Sequence, residues 1–140
     1  MIRVLITDDH RLVRAGMRRL LEDEPDIQVV GEASNGGEAL EFVRTQLVDT
    51  VLLDISMPGE NGIEVLQKLK QVAPQVCVII VSMHTEPNVV ARARAMGANG
   101  YVTKESAADG LVAAIQESCR GRLDSAIRLS GTPVQPNPKP

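Results

Sequence analysis

Short apolar runs alternate with stretches in which apolar side chains recur every three or four positions, and the alternation repeats along most of the chain. Residues 2–7 read as a buried strand. Residues 12–21 then place Val13, Met17, Leu20 and Leu21 on one face of a helix. A second strand spans 27–33, entered just after Pro25. Asn35, Gly36 and Gly37 form a turn, and Ala39, Leu40, Val43 and Leu47 mark a second helix. A third strand covers 50–55, with a loop at 56–62. Ile63, Leu66, Leu69 and Lys70 carry a third helix that stops before Pro74. The run 76–82 is apolar on both faces and is expected to be a central strand. Pro87 suits the first turn of a fourth helix with Val89, Val90 and Ala93 inward, and Gly97 suits its end. A short fifth strand at 99–103 precedes a fifth helix at 106–120, with Leu111, Val112, Ile115 and Cys119 on one face.

Five strand-helix units in succession imply a parallel sheet covered by helices on both faces, because each crossover must return right-handed over the sheet. Beyond residue 129 the pattern stops. Four of the eight prolines fall there (Pro133, Pro136, Pro138, Pro140), and the one charge is Lys139. That composition buries no core and reads as a linker or tail. The expected division is a domain over 1–121 and a connecting segment over 122–140.

With 140 residues the chain has room for one ordinary domain. Its aromatic content is unusual, at Trp 0, Tyr 1 and Phe 1. The core must therefore be filled by aliphatic side chains, and nucleic-acid binding through stacked rings is disfavoured. A net charge of -3 argues against an electrostatic footprint for DNA or an anionic membrane on this chain. The longest apolar run, 76–81, is far too short to cross a bilayer, and no signal peptide opens the chain, so a cytoplasmic location is expected. Cys77 and Cys119 form no C-x-x-C pair and read as reduced, buried thiols.

In an open α/β sheet, ligands bind beyond the carboxyl ends of the strands. Asp8 and Asp9 end the first strand, Asp54 the third, Ser82 the fourth and Lys104 the fifth. Taken singly, each has a bland reading: a solvated turn, a strand end, a cap, a surface lysine. Their joint placement at one sheet edge is what points to a site. Three close carboxylates repel, and a divalent cation relieves the repulsion. Mg²⁺ fits, since it prefers hard oxygen ligands and keeps waters for an incoming phosphate. An Asp beside such a metal can attack phosphorus, while Ser82 donates to one phosphoryl oxygen and Lys104 pairs with another. His10 and His84 belong to different strand ends with no Cys-His spacing, so capping or surface roles are expected of them.

Four segments carry a family resemblance: V-L-I-T-D-D-H, L-L-D-I-S-M-P-G-E-N-G, V-I-I-V-S-M-H and G-Y-V-T-K-E. Over residues 2–121 the chain resembles the receiver domain of two-component response regulators. The resemblance implies a flavodoxin-like (βα)5 sheet of order 2-1-3-4-5. It further implies that Asp54 is the phosphoacceptor and that Asp8, Asp9 and Asp54 hold Mg²⁺, with the Ser56 backbone carbonyl as a further ligand. Ser82 matches the switch hydroxyl, Tyr101 the switch aromatic, Lys104 the phosphate-contacting lysine, and Pro58 and Gly62 the loop closing the metal side. Glu105 departs from the pattern, standing where many receivers carry a proline, often after a cis peptide.

The stretches E-A-S-N-G-G-E-A-L, D-I-S-M-P-G and S-M-H are similar to the NarL/FixJ subgroup, whose receiver precedes a LuxR-type helix-turn-helix. The resemblance implies a signalling switch and not a turnover enzyme, a sensor histidine kinase as phosphoryl donor, and a homodimer formed on phosphorylation. DNA contact is expected only through a helix-turn-helix domain absent from this chain. A haloacid-dehalogenase-type phosphatase would need D-x-D at the first strand, and a nucleotide module would need a glycine-rich loop; neither pattern is present.

Overall fold

Hydrogen bonding joins five parallel strands in the order β2-β1-β3-β4-β5, the order implied by the resemblance. The computed structural model of the chain describes residues 1–57, 59 and 61–129, and side chains up to residue 118. Pro58, the side chain of Cys119 and the tail from residue 130 lie outside the described residues. The strands are β1 (Ile2–Thr7), β2 (Ile27–Ala33), β3 (Thr50–Leu53), β4 (Cys77–Ser82) and β5 (Gly100–Thr103). The helices are α1 (Arg11–Leu21), α2 (Gly36–Thr45), α3 (Gly62–Val72), α4 (Pro87–Ala95) and α5 (Ala107–Leu129), with one 3-10 turn at Lys104–Ser106.

Side-chain alternation along the strands splits the core into two layers. Val4, Ile6, Leu52, Ile79, Val81 and Val102 face α1 and α5, meeting Met17, Leu21, Leu111 and Ile115. Leu5, Val51, Leu53, Val78 and Ile80 face the other way, toward Ala39, Val65, Leu66, Leu69 and Ala93 of α2, α3 and α4. The fully buried side chains of both layers are aliphatic, and the chain's two rings, Phe42 and Tyr101, pack partly buried against the second layer.

Several expectations shift at the element ends. Leu47 does not belong to α2: the helix stops at Thr45, Gln46 turns extended, and Leu47 is 72% exposed. The Thr45 hydroxyl donates to the Glu41 carbonyl at 3.0 Å and occupies an acceptor of the last turn. The third strand ends at Leu53, two residues early, and the chain turns just after it, where the Ser56 amide donates to the Asp54 side chain. Val65, unremarked in the sequence pattern, is buried on the inner face of α3. β4, expected to be central, is an inner strand between β3 and the edge strand β5 and is buried along its whole length. α5 runs to Leu129, beyond the expected stop near 120. Gly97 follows α4 with φ +113°, a conformation that L side chains rarely adopt. Cys77 is buried, and its thiol donates to the Ser118 carbonyl at 3.5 Å.

Register decides what meets at the carboxyl edge. Thr7 pairs with both Ala33 and Leu53, so the residues that follow, Asp8 and Asp54, emerge at one level on adjacent strands. The Asp8 amide donates to the Ala33 carbonyl at 3.0 Å and the Asp54 amide to the Thr7 carbonyl at 3.1 Å, extending the ladders by one residue. Ser82 pairs with Thr103, which puts Lys104 one step past the sheet.

Candidate functional site

Three strand ends share one local device. The Asp8 Oδ1 atom accepts from the His10 amide at 2.8 Å, Asp54 Oδ1 from the Ser56 amide at 2.9 Å, and Ser82 Oγ from the His84 amide at 3.1 Å. Short oxygen side chains bond readily to the amide two residues on, closing an Asx- or Ser-turn. The turn commits one oxygen of each carboxylate to the backbone and leaves the other, Oδ2, directed away from it.

Those two remaining oxygens converge on Lys104. Its Nζ lies 2.9 Å from Asp8 Oδ2 and 3.2 Å from Asp54 Oδ2. Asp8 is fully buried and Asp54 is 2% exposed, so neither charge is well solvated. Burial is the main influence on Asp54 and, with the Asp8 charge beside it, raises its pKa above the ordinary 3.8 against the opposing pull of the Ser56 amide and Lys104. For Lys104, burial favours the neutral amine, but hydrogen bonding and charge from Asp8 and Asp54 outweigh it and the pKa is raised. The ammonium is thus held charged between two carboxylates.

Asp9 and His10 complete the cluster. Ligand atoms of Asp8, Asp9, His10 and Asp54 all lie within 4.8 Å of one another. Asp9 Oδ1 is buried and receives no hydrogen bond among the described residues, while the buried Asp8 Oδ2 faces the Lys104 ammonium at 2.9 Å. The His10 Nδ1 atom stands 3.2 Å from Asp9 Oδ1 and 3.3 Å from Asp8 Oδ1. Buried oxygens of this kind need a partner, and a small hard cation is one that several can share. The donor set therefore fits Mg²⁺.

Of the residues expected from the sequence at the strand ends, Asp8, Asp9, Asp54 and Lys104 are brought together, with differences in detail around them. Ser56 engages Asp54 through its amide N–H. Ser82 is fully buried and its hydroxyl is bonded to the His84 amide, not to Asp54. Tyr101 is half-buried and donates its hydroxyl to the His84 carbonyl at 2.9 Å. His84 itself pairs with Glu86, 3.3 Å away, outside the acidic cluster. Gly62 opens α3 against the segment that follows Asp54: a Cβ there would fall 2.3 Å from the Ile55 Cα. Only glycine allows that approach.

Sequence reasoning missed two contributors. His10 precedes α1 at its cap position, where its side chain makes no capping bond and instead faces the carboxylates. Arg14, one turn into α1, reaches back to donate to the Asp8 carbonyl at 2.7 Å. An arginine on the polar stripe of a helix carries no signal of such a role, but its spacing from the acidic pair, six residues after Asp8, brings a long side chain back over the loop.

A family model of the response regulator receiver domain matches residues 4–116. Response regulator UvrY of Escherichia coli (strain K12) is 46% identical over 140 residues, covering 97% of this chain and 64% of UvrY. The nitrate/nitrite response regulator protein NarL of the same organism is 40% identical over 133 residues, covering 94% of this chain and 60% of NarL. The chain thus spans less than two thirds of the length of these relatives. Among solved structures, a LuxR-family two-component response regulator from Aurantimonas sp. SI85-9A1 superposes with a TM-score of 0.81 at 39% identity, covering 86% of each chain. With the sheet order, the acidic edge and these matches in agreement, the chain belongs to the response regulator receiver domain family, among relatives of the NarL and LuxR kind.

Proposed function

We propose that this receiver accepts a phosphoryl group on Asp54 from the phosphohistidine of a sensor histidine kinase, in a Mg²⁺-dependent reaction. The observation that carries the reading is the bridge from Lys104 to Asp8 and Asp54, set beside the buried Asp9 Oδ1, which receives no hydrogen bond among the described residues. Asp54 Oδ1 is engaged by the Ser56 amide, which leaves Oδ2 as the attacking oxygen. A bond forms from Oδ2 to phosphorus, the P–N bond breaks, and its electron pair leaves with the imidazole nitrogen. Asp8, Asp9 and Asp54, with the Ser56 carbonyl, would hold Mg²⁺, which supplies positive charge against the phosphoryl oxygens. Lys104, already beside Oδ2, follows the new negative charge and exchanges a carboxylate partner for a phosphoryl oxygen.

The Ser82 hydroxyl acts as the switch donor. Turning toward the phosphoryl group, it releases the His84 amide, and the His84 carbonyl is the acceptor that holds Tyr101. One local exchange of hydrogen bonds is thereby coupled to the position of a large ring. The receiver over 1–121 signals through 122–140 to a DNA-binding helix-turn-helix in the cytoplasm, as a dimer formed on phosphorylation. Among the described residues no helix is long and apolar enough to cross a membrane.

Acetyl phosphate with Mg²⁺ followed by intact mass tests the assignment. One phosphoryl adduct is expected on the protein and none on Asp54→Asn; an adduct that persists in that variant overturns the reading.

A further inference from the structure

The acidic loop is braced from outside by a group with no place in the chemistry above. Arg14 Nη1 donates to the Asp8 carbonyl at 2.7 Å, while its Nε donates to Glu32 Oε1 at 2.9 Å. Arg18 Nε holds the other Glu32 oxygen at 2.8 Å. Glu32 lies on β2 directly opposite Ile6. Arg14 therefore ties three elements together: its own helix, the second strand and the turn that carries Asp8 and Asp9. Its side chain is only 15% exposed despite its place on the polar stripe of α1.

The bonded carbonyl belongs to the peptide between Asp8 and Asp9. That unit is planar, so holding its oxygen fixes the direction in which the Asp9 backbone and side chain depart. The other end of Asp8 is already held, by its amide on Ala33 and its Oδ1 on His10. Among the described residues, the Asp9 carboxyl meets the exposed His10 ring at 3.2 Å and otherwise shares its surroundings with the Asp8 and Asp54 carboxylates, and its buried Oδ1 receives no hydrogen bond. Asp9 thus depends on the peptide plane for its aim, and the plane depends on Arg14.

We infer that Arg14 is a positioning residue for the metal site, acting through the Asp8–Asp9 peptide, and that Glu32 is its brace. The inference rests on the proposed Mg²⁺ reading of the acidic edge. Geometry and charge predict opposite signs. A bare cation near two carboxylates weakens metal binding, so removing it tightens the site. A brace does the reverse: removing it weakens the site, and loss of a supporting hydrogen bond typically costs about 10-fold or more in metal affinity. Because Glu32 already compensates the guanidinium, the geometric effect dominates.

Mg²⁺ titrations followed through the amide NMR signals of Asp8, Asp9 and His10 separate the possibilities without phosphotransfer. Arg14→Met, similar in length but without a donor, is expected to weaken Mg²⁺ about 10-fold and shift the Asp9 amide. Glu32→Gln is expected to weaken it in the same direction, charge and geometry acting alike there, so that Arg14→Met is the arm that separates the two; Arg18→Gln should leave binding near wild type. Arg14→Lys restores one donor without the fork and should recover part of the loss. Unchanged or tighter binding in Arg14→Met overturns the inference. Should that variant fail to fold, unchanged binding in Glu32→Gln overturns it equally. A wild-type protein whose Asp8 and Asp9 signals ignore Mg²⁺ removes the metal reading itself, a result distinct from equal binding by wild type and variant.

Discussion

The Tyr101 hydroxyl and the Ser82 side chain hold opposite faces of one residue: Tyr101 donates to the His84 carbonyl, and Ser82 Oγ accepts from the His84 amide. The loop after β4 is pinned from the fifth strand and from its own strand end at a single point.

Tyr101→Phe keeps the ring and removes only the donor. It should cost about 0.5–1.5 kcal/mol, the usual net value of one hydrogen bond. Urea unfolding measures the cost, and faster hydrogen exchange at the amides of His84 and Thr85 identifies the loosened loop.

Asp54→Asn should stabilise the protein at neutral pH when Mg²⁺ is chelated. A carboxyl whose folded pKa is raised binds its proton more tightly when folded. The folded state therefore loses stability as pH rises through 3.8 toward the raised value, and above that value the full penalty remains. Asparagine carries no such penalty. The gain in unfolding midpoint should be present at pH 7 and fade below pH 3.8; a gain independent of pH would contradict this account.

Glu32 titrates in the opposite sense. The Arg18 hydrogen bond is the largest influence and, together with Arg14, lowers its pKa below the ordinary 4.5 in spite of some desolvation. Its contribution is fully present above pH 4.5 and is lost as pH falls through the lowered value. Wild type should lose more stability on acidification across that window than Glu32→Gln, as read from denaturant midpoints over a pH series.

Gly62→Ala tests the close approach beside the site. The added methyl would meet the Ile55 backbone at 2.3 Å, so the loop or α3 must move. Overpacking of this kind costs about 1–3 kcal/mol. Labelling by acetyl phosphate should slow as well, because Ile55 directly follows Asp54. Normal labelling at reduced stability would separate the packing from the chemistry.

Leu111→Ala probes the support of the fifth strand end. Leu111 is fully buried under the sheet on the first turns of α5, just after the turn that carries Lys104. Truncation should cost about 2–5 kcal/mol, measured by denaturant unfolding.

The sheet edge was legible because strand ends are read from where an apolar run stops. Asp8, Asp54, Ser82 and Lys104 each stand at such a stop, and a parallel sheet has all its carboxyl ends on one side. Leu47 misled because apolar spacing alone does not register Gln46 leaving the helix. His10 read as a capping or surface residue because its role depends on which carboxylates the turn brings round. Arg14 and Glu32 were invisible, since charged residues on a helix stripe and on an outer strand look like solvated faces until the two elements are side by side.

Periodicity and strand ends determined the strand-helix alternation and the acidic edge from sequence alone, because apolar burial and turn chemistry act over a few residues, while the strand order and the family came from the resemblance that four short motifs carry. Tertiary structure decided which oxygen of each carboxylate is committed to its own turn, that one ammonium bridges Asp8 and Asp54, and that Arg14 reaches the Asp8 carbonyl. Those are distances between groups up to 96 residues apart (Asp8 to Lys104). Only strand register and helix docking set them, and neither is written in any local stretch of sequence.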